Sequence, residues 1–255
     1  MKSKQKIFNK VLLLSILIIY SCVSKKQLLY LQDLKTYNNS EVISSKNTLQ
    51  ENDILSIKVS SFEKEASTPY NTASNFNGVS PQLIQLNGYL VSKNKTINFP
   101  VLGEISVAGK TTQNLENYLK EILQSGGHLI KPNVIVRLLN SKVTILGEVR
   151  SPGTYNFTEN NISLLQALGL AGDLTIDGNR KDILLIRESD GQRTTTKLDI
   201  TSASFLTSTY QNIKPNDVII VNPNSKKVKS AGLIGNISTA LSIASILLST
   251  IILIR

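Results

Sequence analysis

VTILGEVRSPGTYNF, residues 143–157, sets the reading of this 255-residue chain. It reads as a strand, a turn at Pro152-Gly153 and a second strand, so the unit it opens is β-rich. The following segments continue that plan. SLLQALGLAG (163–172) is a short helix with a serine at its start and a glycine at its end, DILLIRESDGQRTTTKLDI (182–200) is a hairpin around Asp190-Gly191, and NDVIIVNP (216–223) is a last strand.

Upstream, the pattern has the same character. NDILSIKVSSF (52–62) places Leu55, Ile57 and Val59 on one face of a period of two and Ser56, Lys58 and Ser60 on the other. STPYNTASNFNGVSPQ (67–82) is a polar loop, and GYLVSKNKTINFPVLGEISVAGKT (88–111) alternates and turns like a meander. A helix follows, capped by Thr111 or Thr112 and stopped by Gly126 and Gly127. Leu115, Leu119, Ile122 and Leu123 mark its apolar face, with Tyr118 beside them. Pro132 then precedes the β-branched strand NVIVRLL (133–139). The two units share letters: Leu102-Gly103-Glu104-Ile105 with Gly109 repeats as Leu146-Gly147-Glu148-Val149 with Gly153 at identical spacing. This suggests two copies of a small strand-pair-plus-helix fold, against chance recurrence of a common turn.

The N-terminus supplies an address. Lys2, Lys4, Lys6 and Lys10 form a basic region, Val11 to Tyr20 an apolar one, and Ser21 precedes Cys22, the single cysteine. The pattern is a secretion signal, too short for a comfortable membrane span. Ile19-Tyr20-Ser21-Cys22 resembles the bacterial lipobox, with Tyr20 an unusual residue in it, so Cys22 is expected to become an acylated (palmitate-bearing) N-terminus and residues 1–21 to be removed. A buried free thiol is the alternative; with one cysteine, neither an internal disulfide nor a thiolate metal site can form within one chain. Removing residues 1–21 takes away four lysines and lowers the formal charge from +10 to +6. That excess is spread along the chain and permits an anionic partner such as an acidic glycan or a membrane surface. No arginine cluster with interleaved aromatics argues for nucleic acid. Tryptophan is absent, which weakens a stacked-sugar site.

LQENDILSIKVSSFEKE, FPVLGEISVAGKTTQNLENYLKEIL, PNVIVRL, and KVTILGEVRSPGTYNF with SLLQALGLAGD resemble, in that order, the polysaccharide export family of outer-membrane lipoproteins. The first three correspond to its export domain, the fourth to the soluble-ligand-binding β-grasp domain that follows it. The resemblance implies a lipidated N-terminus and a homo-oligomeric ring through which capsular or exopolysaccharide crosses the outer membrane. It also implies an inner-membrane polysaccharide copolymerase as partner. The expected organisation is a lipoprotein signal peptide (1–21), a tether (22–49), an export domain (50–140), a soluble-ligand-binding β-grasp domain (141–222), a basic linker (223–230) and a transmembrane helix (231–254). The fold class is α+β: two small β-rich, β-grasp-like domains plus that C-terminal helix, with the domains in the periplasm and the lipid in the outer membrane.

The expectation for the helix rests on AGLIGNISTALSIASILLSTIILI (231–254), which carries no charge. Its 24 residues at about 1.5 Å each reach roughly 36 Å, more than a hydrocarbon core of about 30 Å. Its twelve Leu and Ile contribute about −4 to −7 kcal/mol towards insertion. Ala231, Gly235, Ser238, Ser242, Ser245 and Ser249 recur at steps of three and four, which keeps them within an arc of about 80°. That small, hydroxyl-bearing face suits either close helix packing by a plain anchor or the lining of a hydrated pore. Lys226, Lys227, Lys229 and Arg255 fit headgroup contact or solubility.

No motif points to catalysis or to a cofactor. His128, the lone histidine, reads as an exposed loop residue; no phosphate loop, His-Glu-x-x-His or Gly-x-Ser-x-Gly is present. Glu63 with Glu65, or Asp173 with Asp177, would need a separation of about 5 to 10 Å across a sugar to hydrolyse it, which sequence alone does not give. Glu104 and Glu148 are expected at strand ends with structural hydrogen bonds. The alternatives to an export channel are a non-channel glycan-binding periplasmic lipoprotein and, more distantly, a glycan-processing enzyme.

Overall fold

The computed structural model describes residues 28–34, 47–71, 81–231, 241–243, 245–246 and 249–250. The chain order is β1 (Ile54–Ser60), α1 (Lys64–Ser67), α2 (Pro81–Leu86), β2 (Tyr89–Leu90), β3 (Thr96–Phe99), β4 (Gly103–Ser106), α3 (Thr112–Ser125) and β5 (Asn133–Leu138). It continues with β6 (Lys142–Gly147), β7 (Gly153–Asn156), β8 (Ile162–Ser163), α4 (Leu164–Leu170), β9 (Gly178–Ser189), β10 (Gln192–Leu198), β11 (Asn212–Ile213), β12 (Val218–Pro223) and α5 (Ser225–Ser230).

Two separate hydrophobic cores organise these elements. In the first, β1 lies between β2 and β5 in an antiparallel sheet whose register sets Leu55 opposite Leu138, Ile57 opposite Val136 and Val59 opposite Val134. The period of two therefore delivers one apolar face. Helix α3 covers it: Leu115, Leu119 and Leu123 recur every fourth residue and are fully buried, each contributing about 1.5–3 kcal/mol of transfer free energy. The Thr111 hydroxyl accepts a hydrogen bond from Asn114 N at 3.1 Å to start the helix, and Gly126 and Gly127 (φ +70°) end it. Glu116 on this helix accepts from the backbone N–H of Val136 at 2.8 Å, which occupies a donor that the edge strand β5 would otherwise leave open.

The second core is built on a five-stranded sheet in the order β10-β9-β12-β6-β7. Its one parallel pair, β12 with β6, brings Ile219 beside Ile145 and Val221 beside Gly147, although about seventy residues separate the strands. Buried Val143, Ile145, Ile183, Leu185, Ile219 and Val221 meet Leu164, Ala167 and Leu168 of α4. That short helix begins with a complete capping box between Ser163 and Gln166. Asp190 (φ +54°) and Gly191 (φ +76°) form the two-residue turn of the β9–β10 hairpin.

Several expectations change. The fold is mixed α+β with several sheets, but the C-terminal transmembrane helix is not supported: among the described residues no helix is long and apolar enough to cross a membrane. Beyond Ala231, the described residues are 241–243, 245–246 and 249–250, all helical. The helix before them, α5, has six residues and carries three lysines. The repeated Leu-Gly-Glu letters also occupy different places. Gly103 opens β4 after the hairpin turn from β3, whereas Gly147 closes β6 against β12.

Residues Leu28–Leu34, within the stretch read as a tether, are docked on the second core. Leu31 and Gln32 donate their N–H groups to the carbonyls of Ile200 (3.2 Å) and Thr201 (2.7 Å). The Asp33 carboxylate accepts from the Ser202 hydroxyl at 3.0 Å and from the Ala203 N–H. Tyr30 donates its hydroxyl proton to Asp173 and lies under the Arg180 guanidinium, 5.2 Å from the ring centre. Burial, reinforced by Asp173, pushes the Tyr30 phenol up to about 12.

Candidate functional site: a polar cleft between the two cores

A concavity of about 650 Å³ lies where the two cores meet. The segment 47–53 leading into β1 forms one wall, with the start of α3 and the end of β5 beside it. The loop at 158–161, the 190–191 turn and the loop at 214–216 form the other. Backbone geometry explains why these residues stand there. Asn52, Asp190 and Asn216 all hold positive φ (68°, 54° and 66°), a conformation that Asn and Asp tolerate better than other side-chain-bearing residues because their short polar side chains bond locally.

Gln50 is the hub of the cleft. Its N–H donates to Asp53 Oδ2 at 2.8 Å and its side-chain amide to Thr48 Oγ1 at 3.0 Å. Its Oε1 accepts from Lys95 Nζ and from the N–H of Asp190, both at 3.4 Å. Lys95 also forms an ion pair with the Asp190 carboxylate, so a first-core strand end and a second-core hairpin tip share one polar network. That bond to Lys95, with its charge, holds the Asp190 carboxyl below the usual range. Asp53 is 3 % exposed, and burial pushes its carboxyl up to about 6 against the lowering effect of the Gln50 N–H. At the far wall Asn47 donates to Asn160 O (3.1 Å) and Asn161 Oδ1 (3.2 Å). Asn140 braces the floor by accepting from Ile54 N (2.9 Å) and donating to Asn52 O (2.8 Å).

Amides and hydroxyls are the most numerous groups on this surface, with the acidic Glu51, Asp53, Glu159, Glu188 and Asp190 and the basic Arg137 and Lys214 among them. Such walls offer many neutral hydrogen bonds. Glu63 and Glu65 are exposed around α1, away from the cleft. Asp173 accepts from Tyr30, and Asp177 pairs with Lys227. His128 is exposed, and its Nδ1 lies 3.1 Å from the hydroxyl of buried Tyr70. Glu148 accepts from the Thr175 hydroxyl at 2.8 Å, the structural role expected of it, whereas Glu104 is exposed. Among the described residues no group of His, Cys, Asp and Glu could hold a metal.

Of the residues read from the sequence, the helix-start threonines Thr111 and Thr112 and the Asp190-Gly191 turn line the cleft. Cys22, Gly235 and Ser238 lie outside the described residues. Ser242, Ser245 and Ser249 are helical and exposed; Ser245 donates its hydroxyl proton to Ser242 O (2.9 Å) and Ser249 to Ile246 O (2.8 Å). The Asp190-Gly191 turn was legible in the sequence, but its contact with Lys95 and Gln50 joins residues about a hundred or more apart, which no periodicity reveals.

Residues 42–139 match the family model described as polysaccharide biosynthesis/export protein, and residues 141–221 match the SLBB domain. The chain carries a polysaccharide export family domain followed by an SLBB domain. The export-family match covers the first core and the SLBB match the second, with the cleft between them. Among its relatives, the EPS I polysaccharide export outer membrane protein EpsA of Ralstonia nicotianae is 36% identical over 107 residues, 40% of this chain and 27% of that protein. EpsA of Ralstonia solanacearum is 33% identical over 93 residues, 35% of this chain and 24% of that protein. The capsule polysaccharide export protein BexD of Haemophilus influenzae is 28% identical over 165 residues, 62% and 39% of the two chains. The matched segments thus span about a quarter to two-fifths of these relatives' own length.

Proposed function

We propose that this polysaccharide export protein is a non-enzymatic outer-membrane component that passes capsular or exopolysaccharide from the periplasm to the cell surface. The observation that carries the proposal is the tandem itself: a first core matched by the export family joined within two residues to a second core matched by the SLBB domain. The names of the relatives, polysaccharide export proteins of the outer membrane and the capsule, support the same reading. Cys22 is the lipidation site that holds the chain to the outer membrane, several copies close into a ring, and an inner-membrane polysaccharide copolymerase feeds the polymer. The cleft suits this work: neutral amides and hydroxyls exchange water for sugar hydroxyls with little net gain per contact, so a polymer is guided without being trapped. No role is assigned to residues 231–254.

The test is complementation of a strain lacking the chain. The wild-type chain restores surface polysaccharide, while Cys22→Ala leaves the outer-membrane fraction and fails to restore it. Unchanged surface polysaccharide in the deletion strain would remove the export assignment. The mass of the full chain in mild detergent tests the ring: monomers or dimers with saturable oligosaccharide binding would favour the glycan-binding lipoprotein, which the polar cleft would also suit.

A further inference from the structure

Little joins the two cores. Their apolar clusters share no residue, and among the described residues no strand of one core pairs with a strand of the other. The covalent link is residues 139–141, and its two ends are fixed to different bodies. Leu139 donates its N–H to Ile54 O at 2.8 Å, and Asn140 accepts from Ile54 N and donates to Asn52 O, which ties both residues to the start of β1. Ser141 is 5 % exposed, and its carbonyl accepts from Phe157 N at 3.1 Å, which continues the β6–β7 pairing. The Asn140–Ser141 peptide is therefore where the chain passes from one rigid body to the other.

The contacts across the cleft are polar. Lys95 pairs with Asp190, and both meet Gln50 Oε1 at 3.4 Å; a second contact runs from Asn47 to Asn160 and Asn161. The Lys95 side chain is 25 % exposed and that of Asp190 66 %, so water and salt reach the ion pair. Exposed ion pairs and long hydrogen bonds hold a joint weakly, and domains that lack a large apolar interface move relative to one another by default. Lys95 stands in the turn before β3 and Asp190 at the tip of the β9–β10 hairpin, so parting them leaves both apolar cores intact.

We propose that the two cores form a hinge: the Asn140–Ser141 peptide is the pivot, and the Lys95–Gln50–Asp190 cluster is a clasp whose release widens the cleft. A few residues at the ends of elements suffice to absorb such a rotation. The clasp is electrostatic, so salt and the removal of either charge act on it alike. The inference concerns the joint and does not rest on what the cleft binds or on polysaccharide transport.

Single-molecule fluorescence energy transfer on the full-length chain in mild detergent is the test. Dyes on Gln124→Cys in α3 and Thr195→Cys in β10, both exposed positions, report the angle between the cores, and dyes on Ser151→Cys and Thr195→Cys report the second core alone. Labelled chains are diluted into an excess of unlabelled ones so that each signal comes from one chain, and the parent chain shows how much dye Cys22 takes. Lys95→Gln and Asp190→Asn should each raise the more open between-core population about fivefold, the factor set by the upper range of an exposed ion pair. Asparagine keeps the positive φ of position 190 (+54°), so the hairpin turn itself survives. Salt at about 1 M, where screening acts within about 3 Å, should open the wild type to the same extent and leave the two variants unchanged. A between-core signal that is the same in the wild type, in both variants and in salt would overturn the hinge. An equal change in the second-core pair would overturn it as well, because the motion would then lie inside that core.

Discussion

Asp217→Asn should unfold the second core selectively. Asp217 is 1 % exposed and Arg187 8 %, and the two meet through paired bonds, Nε to Oδ1 at 2.9 Å and Nη2 to Oδ2 at 2.7 Å. Arg187 also donates to Asn212 O at 3.0 Å, and Lys214 N donates to Asp217 Oδ2 at 2.8 Å. The cluster thus ties β9 and β11 to the turn that starts β12. An asparagine there must aim an N–H₂ group at one of these donors, and the arginine is left as a buried charge without its counter-ion. Breaking such a pair costs about 3–5 kcal/mol. At about 3 kcal/mol, local opening rises roughly 10²-fold, and the melting midpoint of a domain of this size falls by roughly 12–24 °C. Hydrogen exchange read by mass spectrometry is the assay: amides of 142–223 should lose roughly 10²-fold protection while those of 54–138 keep theirs. Loss below about tenfold, or equal loss in both cores, would refute the reasoning. The double variant Arg187→Met/Asp217→Leu removes both charges and should recover most of the stability; a double variant as unstable as the single would show that charge burial is not the cause.

Gly147→Ala should cost about 2–5 kcal/mol, since its Cβ would sit 2.1 Å from Val221 O at φ +87° and force β6 and β12 apart. Gly103→Ala, at φ +75° with open space, should cost about 1–2 kcal/mol; equal losses in urea unfolding would contradict the different roles of the two Leu-Gly-Glu segments. Burial raises the Asp53 carboxyl from 3.8 to about 6, so the folded chain binds more protons than the unfolded one between about pH 4 and 6. The stability of the first core should fall as pH rises through that window, by up to about 3 kcal/mol, and Asp53→Asn should flatten the profile; an unchanged profile would remove the assignment. Asp33→Ala deletes the acceptor for Ser202 and Ala203, so the amides of Leu31 and Gln32 should exchange faster while the sheet amides of β9 keep their protection. Unchanged exchange at 31 and 32 would mean that the strap does not depend on this contact.

The sequence by itself determined the local elements. Period-two burial at Leu55, Ile57 and Val59, the four-residue spacing of Leu115, Leu119 and Leu123, the Thr111 and Ser163 caps and the Asp190-Gly191 turn all follow from short-range sterics and hydrogen bonding, which a few neighbouring residues fix. Only the tertiary structure decided what depends on residues far apart. It set Val221 against Gly147, turned Asp190 onto Lys95 and Gln50, paired Arg187 with Asp217 and fastened the 28–34 strap to the second core. The apolar run at 231–254 shows the same division from the other side. Its composition led to the expectation of a membrane-spanning helix, but among the described residues no helix is long and apolar enough to cross a membrane. Residue types and spacings report the free energy of local choices; contacts across a hundred residues depend on loop closure and shape complementarity, which no stretch of sequence contains by itself.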